Sequence, residues 1–319
     1  MIVRWGLEEL EPLLDELRLA QPLLVTSERF ATLDVPLAER FTGVLAHSPV
    51  EVVEAAIQRA RDADGLVGLG GGSAIDTAKA VSAATGLPLV AVPTTYAGSE
   101  WTPYFGMRDA SRRAKTGGSG ATTAAVVYEP QLTLGLPRRE SVGTALNALA
   151  HAAEALYAGP LDDASAGARL IGTWLPVVAE DGRDVEARTR LLEGAMRAGM
   201  ALAARGMGLA HAMAQALGGR YGVSHGAMNA LCLAPALRFN EPVVAPAIDE
   251  LAGALGVADA AARVEELARL GGYERLRDLG IPEEELDEVA AEAAQRPAAR
   301  ANPRPAPPAE VASLLRGVW

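Results

Sequence analysis

Asparagine and histidine recur at helical spacing in the second half of the chain. Asn147 and His151 stand four residues apart, His211 and Gln215 stand four apart, and His225 opens a further helical stretch. Residues at i and i+4 share one helix face, so each pair can present two side chains to a common point. Three of the chain's four histidines belong to this set, and the fourth, His47, reads as an ordinary satisfied residue. Imidazoles grouped in this way can bind a divalent metal, orient a substrate oxygen or move a proton. In the first half, Gly68-Leu-Gly-Gly-Gly-Ser-Ala-Ile-Asp76 follows an apolar run and opens a helix. Residues without a Cβ let a ligand approach the backbone, and the N–H groups at a helix start attract anions, which is the chemistry of a phosphate-binding turn. It is neither the spaced G-x-G-x-x-G fingerprint nor a Walker A loop. Pro93-Thr-Thr-Tyr-Ala-Gly-Ser-Glu100 follows the next apolar run and would sit beside it at the same sheet edge.

These residues need a scaffold, and the hydrophobic pattern supplies one. Leu7, Leu10, Leu13, Leu14 and Leu17 repeat at helical spacing, and 22–27 reads as a buried strand. Ser48-Pro49-Val50-Glu51 has the form of a capping box, with Ser48 as N-cap, opening a helix whose stripe is Val53, Ala56, Ile57 and Ala60. Strands at 65–69 and 87–92 flank a helix over 74–84. Strand and helix in alternation predict a parallel α/β sheet, Rossmann-like, with ligands beyond the carboxyl ends of its strands. From Pro137 onward, helical patterns follow one another: about 138–158, 162–178, 185–205, 207–218, 226–238, 247–254, 258–270, 283–294 and 308–316. The reading is therefore an α/β nucleotide-binding domain over 1–136 and an all-helical substrate domain over 137–319. The Pro-rich 300–308 reads as an extended surface connection.

Four motifs, in order and spanning nearly the whole chain, resemble the signatures of the iron-containing alcohol dehydrogenase family. They are Gly70-Gly-Gly-Ser-Ala-Ile-Asp-Thr-Ala-Lys79, Pro93 through Glu100, Asn147-Ala-Leu-Ala-His-Ala-Ala-Glu-Ala-Leu-Tyr157, and His211-Ala-Met-Ala-Gln-Ala-Leu-Gly-Gly219 with Ser224-His-Gly226. Within that family the chain is most similar to the maleylacetate reductase branch, a likeness shared by Asn302-Pro-Arg-Pro305. The resemblance implies a dehydroquinate synthase-like fold and a nicotinamide dinucleotide, NADH or NADPH. Gly71, Gly72 and Ser73 would cradle its pyrophosphate, with Asp76, Thr94, Thr95 and Lys115 as further contacts. In metal-dependent members an aspartate and three histidines hold iron or zinc. His151, His211 and His225 match those histidines, and Asn147 stands in the aspartate's place. An amide for a carboxylate removes the only anion from the set, so metal affinity should fall and the metal should not be required. Asn147 and the histidines would then act by hydrogen bonding and proton transfer.

Tyr96, Ser99, Arg205 and Gln215 are the candidate substrate contacts. Gln215 occupies a position where the family usually has another histidine, Ser224 replaces a proline, Trp101 replaces a smaller apolar residue, and Arg205 adds a cation suited to a carboxylate. Together these point to a reshaped pocket. Arg29, after the first buried strand, suits a 2′-phosphate, so NADPH is expected beside NADH.

Composition narrows the class further. Lys plus Arg number 29 against 40 Asp plus Glu, a formal charge of −11, which argues against a nucleic-acid partner. Only Lys79 and Lys115 among the basic residues are lysines. No run approaches the roughly 18 to 20 apolar residues of a membrane span, and a lone Cys232 fits a reducing cytoplasm. The expectation is a cytoplasmic NAD(P)H-dependent oxidoreductase reducing a small oxo-acid or enone; the resemblance implies a homodimer and the reaction maleylacetate to 3-oxoadipate. Three alternatives stand: a metal-dependent alcohol dehydrogenase, a nucleotide-binding protein that has lost turnover and, ranked lowest, a dehydroquinate synthase-like lyase.

Overall fold

Three strands of the first half are buried along their whole length, which only a sheet covered on both faces allows. The computed structural model describes residues 1–109 and 111–319. The chain divides into two compact units, Met1–Thr133 and Leu134–Trp319. In the first, strands β1 (Ile2–Trp5), β2 (Leu23–Thr26), β3 (Arg40–Phe41), β4 (Leu66–Gly70), β5 (Leu89–Pro93) and β8 (Thr123–Tyr128) form a sheet in the order β1-β8-β5-β4-β2-β3. Every neighbouring pair runs parallel. The remaining strands, β6 (Phe105–Asp109) and β7 (Ala114–Gly118), pair as an antiparallel hairpin.

The two sheet faces follow from the two-residue period of a strand. Leu24, Val67, Leu69, Val90, Val92 and Val127 pack under Leu10, Leu13 and Leu14 of α1 (Leu10–Glu16). Their neighbours Leu23, Val25, Leu66 and Leu89 pack with Ala56 of α2 (Val50–Arg59) and with Ala74, Ala78 and Val81 of α3 (Gly72–Thr85). A helix layer on each face thus holds the carboxyl ends of β4 and β5 side by side.

The second unit is all helical: α4 (Arg138–Leu156), α5 (Asp162–Glu180), α6 (Val185–Arg205), α7 (Leu209–Tyr221), α8 (His225–Leu255), α9 (Ala260–Leu270), α10 (Leu286–Gln295), α11 (Pro297–Arg300) and α12 (Pro308–Gly317). Helix α4 is buried on all sides from Ala145 to Leu156, as expected of a central helix rich in alanine. Its start is pinned by the buried Arg188, whose guanidinium donates to Ser141 Oγ at 2.8 Å, Gly182 O at 3.0 Å and Leu136 O at 3.2 Å.

The two helices expected over 226–238 and 247–254 are present with shifted ends: α8 spans both, but Val244, with a φ of −131°, is non-helical and kinks the element between Pro242 and Pro246. Other local expectations are corrected. The capping box at Ser48 does not form: α2 begins at Val50 without a side-chain cap, and the Ser48 hydroxyl donates to Ser73 O at 2.9 Å instead. The 300–308 segment does more than lie on the surface. Asn302 is buried and exchanges two amide bonds with Asn240 of α8, at 2.7 and 3.0 Å, while Arg304 stacks on Phe239.

Candidate functional site

In the first unit the glycine run turns from β4 into α3. Gly70 has a φ of +145°, a value that side-chain-bearing residues rarely adopt. Gly71 is the N-cap and no side chain caps the helix; the Ala74 N–H turns back to Gly71 O at 2.9 Å, and the Gly72 and Ser73 N–H groups stand at the helix start where an anion is favoured. A Cβ on Gly71 would lie 3.0 Å from Thr95 Cγ2, so the bare backbone keeps the turn open against the loop after β5. The Thr94 N–H donates to Gly70 O at 2.9 Å and ties the two loops together. Gly71, Gly72, Ser73, Asp76 and Thr95 are half-buried, and Thr94 is buried. These features fit a pyrophosphate: backbone N–H donors, small residues and a helix N-terminus.

The surroundings of this turn are also defined. Ser73 Oγ accepts from the His47 N–H at 2.9 Å, and the Ser48 bond to Ser73 O lies next to it. His47 and Ser48 both have positive φ, 66° and 47°, so a strained dipeptide clamps the turn. Asp76 Oδ2 accepts from the Gly106 N–H at 3.0 Å, and Lys115 lies against Gly106 from β7. Lys79 behaves differently from Lys115. It is fully buried, and its Nζ donates to Ser99 O at 2.6 Å and lies 3.7 Å from Asp76 Oδ1. Burial pushes its ammonium pKa below the usual lysine range, against the pull of Asp76 and Glu100. Burial likewise raises the Glu100 carboxyl, which accepts from Tyr128 Oη at 2.8 Å, and Trp101 Nε1 donates to that same oxygen at 2.8 Å. Trp101 is thus part of the support beneath the loop. Tyr96 is wholly buried, and the half-buried Ser99 takes Lys79 on its carbonyl.

In the second unit, α4 and α8 cross closely enough that a Cβ on Gly226 would lie 2.6 Å from the Gly143 carbonyl carbon. That contact brings Asn147, one turn beyond Gly143, to α8. Asn229 Nδ2 donates to Asn147 Oδ1 at 2.6 Å and stands 3.2 Å from His225 Nε2. An amide N–H can only donate, so His225 Nε2 accepts. The His151 and His211 rings stack with centroids 4.7 Å apart and planes 13° from parallel, and the His211 and His225 centroids lie 5.7 Å apart. The four residues expected to act together, Asn147, His151, His211 and His225, do form one cluster, and the first three are buried.

Two members of this cluster escaped the sequence reading. Asn229 is one, and Glu154 is the other. Glu154 Oε2 lies 2.6 Å from His211 Nδ1 and accepts from the Gly208 N–H at 2.7 Å, while Oε1 accepts from the Ala210 N–H at 2.8 Å. Spacing could have found both, because Glu154 is three residues after His151 and Asn229 is four after His225. His211 Nε2 is buried and has no hydrogen-bond partner among the described residues.

The remaining candidates lie apart from this core. Gln215 is one turn beyond His211 and half-buried, with its Oε1 accepting from Arg296 Nη1 at 3.4 Å. Arg205 is exposed at the end of α6 and donates to Ala158 O at 3.2 Å. Ser224 is the N-cap of α8, its Oγ accepting from the Ala227 N–H at 3.3 Å, so the hydroxyl positions the helix that carries His225.

This donor set lacks the free carboxylate that would anchor a divalent metal beside the histidines. Among the described residues no three His, Cys, Asp or Glu side chains converge as ligands. Asn147 Oδ1 is occupied by the Asn229 amide, and the oxygens of Glu154 are committed to the start of α7 and to His211 Nδ1. What the cluster offers is a largely buried group of hydrogen-bonding atoms around His211 Nε2, which has no partner among the described residues.

Comparison with known proteins agrees with both halves of this picture. Residues 4–130 match the profile of the iron-containing alcohol dehydrogenases, and 141–319 match that of the Fe-containing alcohol dehydrogenase family, C-terminal. Maleylacetate reductase from Burkholderia cepacia is 37% identical over 288 residues, covering 84% of this chain and 81% of the relative. Maleylacetate reductase 1 from Rhodococcus opacus is also 37% identical, over 88% of this chain and 80% of its own. The crystal structure of maleylacetate reductase from Rhizobium sp. strain MTP-10005 superposes with a TM-score of 0.89 at 32% identity, covering 100% of this chain and 95% of the other. That of an iron-containing alcohol dehydrogenase from Corynebacterium glutamicum ATCC 13032 gives 0.91 at 31% identity, covering 100% and 94%. The chain belongs to the iron-containing alcohol dehydrogenase family, and with it to the NAD(P)-dependent oxidoreductases.

Proposed function

We propose that this protein is an NAD(P)H-dependent reductase of small unsaturated oxo-acids, acting on maleylacetate to give 3-oxoadipate, without a required metal. The observation that carries the reading is the hydrogen-bonding cluster in the second unit: Asn147, in the place of a metal-binding carboxylate, held by Asn229 beside three imidazoles, and His211 Nε2 without a partner among the described residues. Similarity to maleylacetate reductases over most of the chain supports the substrate class.

A bound reduced nicotinamide supplies a hydride, and the α3 turn, with Gly71, Gly72, Ser73, Thr94 and Thr95, is the part of the chain suited to hold its pyrophosphate. In the reaction a C–H bond forms at the alkene carbon β to the ketone. The alkene electron pair shifts toward the ketone oxygen, giving an enolate, and a proton then adds at the α-carbon. The chain's part is to hold the ketone oxygen with hydrogen bonds that strengthen as its charge develops, and to return the proton from an imidazole. Burial of Asn147, His151 and His211 excludes water and strengthens those bonds. Tyr96, Ser99, Arg205 and Gln215 remain the proposed contacts for the rest of the substrate, and Lys115, with Asp76, those for the cofactor.

A homodimer in the cytoplasm completes the proposal. No helix among the described residues is long and apolar enough to cross a membrane, and the lone Cys232 is buried. A metal-dependent alcohol dehydrogenase is the second reading, favoured by the clustering of three histidines in a family named for iron. Consumption of NADH in the presence of maleylacetate, compared with simple aldehydes, tests the choice. Rapid oxidation by the oxo-acid and little by the aldehydes is the expected result, and the reverse preference contradicts it.

A further inference from the structure

The α4 helix carries a buried carboxylate that has no place in the proton transfer itself, yet it touches the ring at the centre of the cluster. We propose that Glu154 is a positioning residue for this reductase, holding His211 as the Nδ1–H tautomer so that Nε2 is the ring atom left for the substrate. The role of Nε2 rests on the oxo-acid reading above; the tautomer does not.

The geometry leaves Glu154 little choice. Its oxygens already accept backbone N–H groups of Gly208 and Ala210 at 2.7 and 2.8 Å, and that of His211 lies at 3.4 Å. With both oxygens serving as acceptors of backbone N–H groups, the 2.6 Å contact to His211 Nδ1 points to a ring N–H donating to the carboxylate. The carboxylate is fixed by the same helix start that bears His211, where an anion is favourable. A side chain at Gly208 would displace it, because a Cβ there would lie 3.0 Å from Oε1. Asn302 Oδ1 accepts the Leu209 N–H at 3.3 Å, so the terminal segment closes the same turn. The ring, its orienting group and the helix end form one rigid unit, with the His151 ring stacked against it. A second ring contact that fixes which nitrogen faces a ligand is the usual way a histidine is held to one task.

The test is the ring ¹⁵N spectrum of full-length protein in mildly alkaline buffer, with His211 assigned by its loss in His211→Gln; four histidines make that assignment tractable. The wild-type ring is expected to show a protonated Nδ1 and a bare Nε2. In Glu154→Gln an amide oxygen in the place of Oε1 keeps the Ala210 donor while the NH₂, in the place of Oε2, faces Nδ1 and leaves the Gly208 N–H without its acceptor, which moves the ring hydrogen to Nε2. The same variant should lose about 10- to 100-fold in kcat for oxo-acid reduction with little change in KM for NADH. A wild-type ring with Nε2 protonated and Nδ1 bare overturns the proposal, as does a folded Glu154→Gln protein whose kcat stays within about twofold. The wild-type spectrum decides the matter if the variant does not fold. Because it needs no substrate, it also separates failure of the Glu154 role from failure of the oxo-acid reading.

Discussion

The Asn229 side chain donates to Asn147 Oδ1 at 2.6 Å, and that one bond occupies the oxygen a metal ion would need while joining α4 to α8. The same amide serves His225 Nε2 at 3.2 Å. Replacing Asn229 by alanine removes both of these bonds at a position with no solvent exposure. The expected cost is about 1 to 3 kcal/mol of folding stability, together with reduced turnover. Urea unfolding measures the first, and a variant as stable as the wild type would show that the bond contributes nothing.

Asn147→Asp returns an anion to the cluster without changing its shape. The new carboxylate can still accept from Asn229 and can add charge toward a divalent cation. Zinc affinity measured by titration calorimetry should rise by about tenfold or more. No gain would mean that the arrangement of the imidazoles, not the missing charge, limits metal binding.

Ser48 and His47 place the nucleotide turn from outside the glycine motif. Ser48→Ala removes the 2.9 Å bond to Ser73 O, worth about 0.5 to 1.5 kcal/mol, so KM for NADH should rise about two- to tenfold with a smaller change in kcat. Steady-state kinetics with varied NADH checks this, and an unchanged KM contradicts it.

Lys79 supports the loop after β5 from below. Lys79→Met leaves Ser99 O without its donor and Asp76 without the ammonium 3.7 Å away, and removes the positive charge whose field lowers the Glu100 carboxyl. Leaving the Ser99 carbonyl without its donor costs about 1 to 3 kcal/mol. The pH dependence has a defined sign. Burial raises the Glu100 carboxyl, so its protonated form favours the folded state; that contribution is complete below the usual carboxylate pKa and fades as pH rises through the folded value. The lost cation matters most when Glu100 is charged. The variant should therefore be more strongly destabilised at neutral pH than in mild acid, as denaturant melts at the two pH values would show.

The legible parts of this protein were those written in local spacing. The buried strand β4 entering α3 through consecutive glycines, and the pairing of Asn147 with His151 one turn apart, follow from periodicity alone. Ser48 shows where local rules stop: its sequence suits a helix cap, but Ser73 O, 25 residues away, captures the hydroxyl. The β6–β7 hairpin was not foreseen because its strands hold three glycines and a single β-branched residue, Thr116. Glu154 and Asn229 lie at helical spacing from known candidates, yet only tertiary packing shows that one meets a histidine from another helix and the other meets Asn147. Charge singled out Arg205, but only the structure shows its guanidinium on the Ala158 carbonyl at the exposed end of α6.

The central claim is reduction of an oxo-acid by hydrogen-bonding side chains rather than by a metal. Its most direct test is the loss of nicotinamide absorbance when chelator-treated protein, its iron and zinc content measured in the same sample, meets NADH and maleylacetate. Full turnover at metal levels far below one per chain is the predicted result. Activity that vanishes on chelation and returns in proportion to added iron or zinc would contradict the account.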